Sequence, residues 1–366
     1  MDPKNPPNAA FSGGTPPVRP DIAALAPYIP GEQPQGGSWI KLNTNENPYP
    51  PPPAVAEAIR EAASGRNLAK YPDPLATSFR KQAGQTLGID PDWILCGNGS
   101  DDILTILVRT FVGQGESLRM PYPSYILYRT LAGIQGARCH EVTFANDWSL
   151  ESTFTAAQNG LRLAIIPNPN SPSGTLLSKE WLLAAAKQLP CPLVIDEAYV
   201  DFAETSCLDL VEACENVIIT RSFSKSYALA GLRFGFAVAR PQIIEQLTKV
   251  KDSYNCDTLS IAAATAAIAD TTWLANMRSM VLATRSRLEA GLAALGFTVQ
   301  PSQANFVWCT HPQKNHRAIY EALKQQSILV RWMNFHNWGD GLRVSVGTDE
   351  ETDTFLTALA SILEQL

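Results

Sequence analysis

The stretch NVIITRSFSKSYALAGLRFGF, Asn216–Phe236, decides how the rest of the chain is read. Val217–Thr220 is a short apolar, β-branched run, the composition of a strand buried on both faces. The segment after this run is too rich in Gly and Ser for a good helix, yet it sets Lys225 between Ser224 and Ser226, with Arg221 and Arg233 nearby. A solvated lysine needs no such setting. In open α/β sheets, ligands bind at the carboxyl ends of the strands. A strand ending in hydroxyls, a lysine and an arginine therefore predicts a phosphate-binding site with an amine that reacts.

The flanking sequence supplies the sheet. WILCG, SLRMP, ARCHEVTF, RLAIIP, PLVIDEA and NVIITRS read as strands. Between them AVAEAIREAASG, DDILTILVRTFV, SYILYRTLAG and SKEWLLAAAKQL read as helices. This alternation implies an α/β domain whose mostly parallel sheet is covered on both faces. After Phe236 the character changes. Leu274, Met277, Val281, Leu288, Leu292 and Leu295 recur near a 3.6-residue period, which predicts one long helix between domains. ANFVWC, ILVRW and LRVSVG then read as strands, and Thr348 with Glu351 forms a capping box for a last helix. The expected organisation is a Pro/Gly-rich flexible arm over 1–27 and an N-terminal segment over 28–52 that joins the smaller domain and the site entrance. A large domain over 53–255 and a smaller α+β domain over 256–366 complete it.

Composition narrows the function. The chain has 366 residues, 45% apolar and 17% charged, with a net charge of −6, so a nucleic-acid partner is not expected. The seven cysteines show no CxxC spacing and do not cluster with the four histidines, so neither a disulfide framework nor a metal site is expected. The apolar run IAAATAAIA is too short to span a bilayer, and the N-terminus lacks the apolar core of a signal peptide. A cytoplasmic location, away from membranes, is the expectation.

Three further clusters fall at predicted strand ends. In CGNGSDD, Gly99, Ser100 and Asp101 stand where a strand meets a helix N-terminus, a natural place for phosphate. In VIDEAYVDF, Asp196 closes an apolar strand; a carboxylate at that depth requires a cationic partner, and a protonated ring nitrogen would serve. IPNPNSPSGT is a rigid loop of the kind that positions polar side chains. A Schiff-base lysine, an acid for a pyridinium nitrogen and a phosphate cradle are together the requirements of pyridoxal 5′-phosphate.

In the stretches KLNTNENPYPP, KYPDP, GNGSDD, PSYILY, NPNSPSG, IDEAYVDF, SFSKSYALAGLRFGF, SQANFV, ILVRW and LRVSVGT, in that order, the chain resembles the fold-type I, pyridoxal-phosphate-dependent aminotransferases of the class I/II superfamily. Within them it is similar to the histidinol-phosphate aminotransferases. The resemblance implies a sheet of the seven-stranded type and a homodimer with shared active sites. It implies that Lys225 carries the cofactor and shuttles the substrate proton, that Asp196 partners the pyridine nitrogen and that Tyr199 donates to the ring oxygen. Tyr125 would stack on the ring. Gly99, Ser100 and Asp101 would form one side of the phosphate cradle, and Ser222, Ser224 and Arg233 the other. Tyr71 would reach the neighbouring subunit's cofactor. Arg343 would grip the anions of histidinol phosphate and of glutamate or 2-oxoglutarate, with Arg331, Tyr28, Asn45 and Asn43 near the same entrance.

Three positions depart from the common pattern. Ser171 stands where an asparagine precedes proline, so the ring contact falls either to Asn170 through a shifted loop or to Ser171. Asp102 replaces a frequent glutamate, and Trp332 a frequent tyrosine. An aromatic amino-acid aminotransferase and a phospho-amino-acid decarboxylase are the alternatives on the same motifs. A cofactor-binding regulator is not expected of an acidic chain in which no helix-turn-helix segment is recognised.

Overall fold

A computed structural model describes residues 18–26, 31–34 and 36–366. Its centre is a seven-stranded sheet of β2 (Ile94–Gly97), β3 (Ser117–Tyr122), β4 (Arg138–Thr143), β5 (Leu161–Pro167), β6 (Leu193–Asp196), β7 (Val217–Ser222) and β8 (Gly235–Val238). Their order across the sheet is β2-β8-β7-β6-β5-β3-β4, and β8 alone runs against its neighbours.

Why this sheet is covered on both sides is visible in adjacent residues. Leu193 and Ile195 of β6 enter one apolar core and Val194 the other, and Val217, Ile219 and Ile218 of β7 divide in the same way. A strand with no solvent-facing side chain must be apolar throughout, and the continuous runs encode that. Helices Ser100–Phe111, Leu127–Ile134 and Pro241–Val250 close one face. Helices Pro53–Ala62, Thr77–Leu87, Lys179–Gln188 and Thr258–Ala269 close the other. Each fully buried Leu, Ile or Val contributes roughly 1.5–3 kcal/mol relative to exposure.

A second core surrounds the long helix Thr271–Ala294, whose Met277, Val281, Leu288 and Leu292 are buried as their spacing predicts. It packs with a four-stranded antiparallel sheet, order β12-β13-β10-β9, of β9 (Thr298–Gln300), β10 (Phe306–Thr310), β12 (Arg331–Phe335) and β13 (Gly339–Ser345). The last helix, Asp349–Gln365, begins at the Thr348–Glu351 capping box. The N-terminal segment joins this core through β1 (Ile40–Lys41), which pairs in parallel with β11 (Ile328–Leu329).

Four elements differ from the sequence expectation. ILVRW divides at Val330, its first half pairing with β1 and its second with β13. Strand β8 and the helix after it were not expected. The alanine-rich helix Thr258–Ala269, read from the sequence as part of the region after 255, packs on Pro53–Ala62 and Thr77–Leu87 in the core of the large sheet. Among the described residues no helix is long and apolar enough to cross a membrane.

Candidate active site

The lysine-bearing loop leaves β7 and returns in β8, and both ends are tied: Ser222 pairs with Gly235, and the Phe223 amide donates to the Phe234 carbonyl at 3.0 Å. Beneath it Phe79, Phe223, Phe234 and Phe236 form an aromatic cluster with centroids 4.6–6.2 Å apart. From above, the Asn47 amide donates to the carbonyls of Lys225 and Ser226, each at 3.0 Å. The Lys225 ammonium donates to the Thr44 carbonyl at 3.0 Å and lies 5.9 Å from the centre of the Tyr199 ring. Burial, reinforced by the nearby Arg343 guanidinium, lowers its pKa to about 8. The amine is therefore neutral in an appreciable fraction of molecules near neutral pH.

Asp196 closes β6 and is 4% exposed. Its Oδ2 accepts from the Tyr128 hydroxyl at 2.7 Å, and its Oδ1 accepts from Thr220 Oγ1 at 3.0 Å and the Ala198 amide at 3.2 Å. Among the described residues no cation forms a salt bridge with it, and burial raises its pKa to about 6. Tyr128 and Thr220 escaped the sequence reading. Tyr128 looks like packing on an amphipathic helix, and Thr220 like any β-branched strand residue. Tyr125 lies edge-on to Tyr128, centroids 5.5 Å apart, and its hydroxyl donates to Asp101 at 3.2 Å.

At the same edge of the sheet, Gly99 (φ +84°) precedes helix Ser100–Phe111. The Arg233 guanidinium reaches both sides, donating to Ser224 Oγ at 3.2 Å and to Asp101 at 3.3 Å, and Ser222 Oγ accepts from the Ser224 amide. A Cβ on Gly99 would stand 2.8 Å from Arg233 Nη2, and one on Gly235 would stand 2.6 Å from the Ser100 amide nitrogen. Bare backbone is thus required on both sides of the cradle. Asp102 does not face it; its carboxylate accepts from the Asn98 amide and the Asn255 side chain, both at 2.9 Å.

Arg343 on β13 donates to Ser171 Oγ at 2.9 Å and to the Asn43 carbonyl at 3.0 Å, with its guanidinium 5.3 Å from the centre of the Phe306 ring. Arg331 is its direct cross-strand neighbour, so both side chains leave the same face. Asn170 does not share this location. Its amide is held between its own loop and the turn after β3, accepting from Ser124 Oγ at 3.0 Å and donating to Ser173 Oγ at 2.9 Å and the Pro123 carbonyl at 3.3 Å. Of the two alternatives for the ring contact, Ser171 is the one beside Arg343. Asn45, expected near the substrate, donates to the Tyr199 hydroxyl at 3.0 Å. The Asn43 side chain donates to the Glu32 carbonyl at 2.9 Å. Tyr71 stands apart from these groups, 81% exposed and stacked on Tyr254 at 4.5 Å. Tyr28 lies outside the described residues.

Among the described residues the site thus presents a buried carboxylate with no salt-bridged cation, a half-buried amine of lowered pKa, and hydroxyls with a guanidinium around two close-packed glycines. These groups fit a phosphorylated pyridine aldehyde: Asp196 would answer its ring nitrogen, Lys225 its aldehyde, and the cradle its phosphate.

The chain matches the family Aminotransferase class I and II over residues 37–359. It is 57% identical to the histidinol-phosphate aminotransferase of Rhodopirellula baltica, over 95% of this chain and 96% of that one. It is 44% identical to that of Syntrophotalea carbinolica, over 94% and 99%. Among solved structures it resembles the histidinol-phosphate aminotransferase of Sinorhizobium meliloti in complex with pyridoxal 5′-phosphate. The TM-score is 0.88, with 29% identity over 98% of this chain and 99% of that one.

Proposed function

Since the chain belongs to the class I and II aminotransferases, and among them to the histidinol-phosphate aminotransferases, we propose that it moves an amino group between L-histidinol phosphate and 2-oxoglutarate, with pyridoxal 5′-phosphate as cofactor. It would act as a cytoplasmic homodimer. The observation that carries the reading is Asp196. A carboxylate 4% exposed, fed by three donors and left without a cation, supports a ligand whose ring nitrogen brings the positive charge.

When bound, the cofactor supplies a conjugated ring that accepts the electron pair left at the substrate Cα on proton removal. The rest is work for the chain. Ionised Asp196 holds a proton on the ring nitrogen. Tyr199 directs its hydroxyl at the ring oxygen. The neutral fraction of Lys225 is large enough for its Nζ to take a proton from Cα and return it on the other side of the exchange. Gly99, Ser100, Ser222, Ser224 and Arg233 hold the phosphate. Asp101, which accepts from Arg233 and Tyr125, orients both. Arg343 binds the α-carboxylate of glutamate and the phosphate of histidinol phosphate in alternate half-reactions, because a guanidinium fork matches either anion. Arg331 beside it contributes the second positive charge. Ser171, which accepts from Arg343, would take the ring-oxygen contact in place of Asn170. Exposed Tyr71, with its ring on Tyr254, supports a contribution to the partner subunit's cradle.

The test is kcat/KM with histidinol phosphate, phenylalanine and tyrosine as amino donors. Preference for histidinol phosphate is expected; equal values overturn the substrate assignment, and a decarboxylated product overturns the reaction type.

A further inference from the structure

Ser345 and Asn45 are joined by two hydrogen bonds. The Asn45 backbone amide donates to Ser345 Oγ at 2.8 Å, and the Ser345 hydroxyl donates to Asn45 Oδ1 at 3.0 Å. Both residues are buried, Asn45 at 1% and Ser345 at 2% exposed. The Asn45 backbone is left-handed, φ +55°, and its carbonyl accepts from Asn305 Nδ2 at 3.0 Å. This fixes which way the amide points. Among the described residues the Ser345 hydroxyl has no acceptor other than Asn45 Oδ1. A turned amide would leave a buried hydroxyl proton unmatched, a costly arrangement. Asn45 Nδ2 must therefore face outward, and it donates to Tyr199 Oη at 3.0 Å. With its oxygen accepting from Asn45, Tyr199 has its own proton left to give.

We propose that Ser345 and Asn45 are positioning residues that fix Tyr199 as a hydrogen-bond donor into the active site, by holding the Asn45 amide in the one orientation that supplies rather than takes a proton at Tyr199 Oη. The inference deepens the role assigned to Tyr199 and rests on that reading. Tyr199 also lies near the charges of Arg343, Asp196, Asp101 and Lys225, so a shift caused by field alone must be separated from one caused by hydrogen-bond direction. Ser345→Ala achieves this, because it changes no charge and no atom of Tyr199. Without the Ser345 donor the amide turns, Tyr199 donates to Asn45, and the ring oxygen loses its proton donor.

The readout is the pH midpoint of the visible absorption band of the reconstituted holoenzyme. A donor to an ionised ring oxygen stabilises the deprotonated chromophore, so its loss raises the midpoint. Tyr199→Phe and Ser345→Ala are both expected to raise it by about one pH unit, the roughly tenfold effect of a hydrogen bond to an ionised oxygen. Asn45→Asp, whose side chain can only accept when ionised and which tolerates the left-handed backbone, moves it the same way. Ser345→Thr, which keeps the hydroxyl, leaves it in place. In a Tyr199→Phe background Ser345→Ala adds nothing. In cofactor-free protein labelled with ¹³Cζ-tyrosine, the Tyr199 phenol pKa rises in Ser345→Ala. A wild-type midpoint in Ser345→Ala, or a shift that persists in the Tyr199→Phe background, overturns the inference alone. An unmoved midpoint in Tyr199→Phe overturns it together with the role of Tyr199.

Discussion

Replacing Asp196 with asparagine should make the cofactor-free protein more stable at pH 8 while abolishing tight cofactor binding. Burial lifts the carboxyl from its ordinary 3.8 to about 6, so the folded chain holds this proton more tightly than the unfolded chain. A raised carboxyl pKa favours folding most below 3.8; the advantage is lost as pH rises towards 6 and is absent above it. At about 1.4 kcal/mol per pH unit, the interval amounts to about 3 kcal/mol. The donors from Tyr128, Thr220 and Ala198 already soften that burden, because each favours the ionised form. Asparagine has nothing to ionise. Urea denaturation of the two cofactor-free proteins should therefore give similar stabilities near pH 4 and diverge by up to about 3 kcal/mol in favour of Asp196→Asn by pH 8. A difference that is the same at both pH values refutes the reasoning, since the carboxylate would then carry no penalty in the fold.

Gly99→Ala places a methyl 2.8 Å from Arg233 Nη2 at φ +84°. It should destabilise the fold by about 1–3 kcal/mol and weaken cofactor binding, measured by urea denaturation and by fluorescence titration. The rate at which cofactor-free protein captures pyridoxal 5′-phosphate should rise with pH around a midpoint near 8, as the Lys225 amine loses its proton. A rate that is flat between pH 6.5 and 9.5 in stopped-flow mixing contradicts that. Tyr71→Ala and Lys225→Ala should each be nearly inactive alone. Co-expressed, they should regain about a quarter of wild-type activity, because half of randomly paired dimers are hybrids with one intact site; no recovery in the purified hybrid argues against shared sites.

The centre of the main sheet was legible because strands such as β6 and β7 are buried on both faces and leave apolar runs. The capping box at Thr348 and the spacing from Met277 to Leu292 were legible because both are local. Strand β8 was not, since Gly235–Val238 is short, begins with glycine and is recognisable as a strand only by its pairing with β2 and β7. The helix Thr258–Ala269 shows no polar stripe, because small alanines let it pack closely against two other helices. In the site, the groups marked by chemistry, Lys225, Asp196 and the Gly99 turn, were legible in the sequence. The groups that orient them were not. Tyr128 meets Asp196 across 68 residues, and Ser345 meets Asn45 across 300, so neither contact leaves a local signal. The choice between Asn170 and Ser171 was not legible either, since it depends on Ser124, 46 residues away, which donates to the Asn170 amide.

The return of the lysine loop into the single reversed strand has a mechanical consequence. Anchored at Ser222 and again at Gly235 on adjoining strands, the reactive amine hangs from a closed bracket rather than from a free tongue. Adding or deleting a residue between these anchors would shift Lys225 against Arg233 and Gly99 together. Diversity among natural or engineered variants should therefore enter through changes of side chain within the bracket and changes of length outside it.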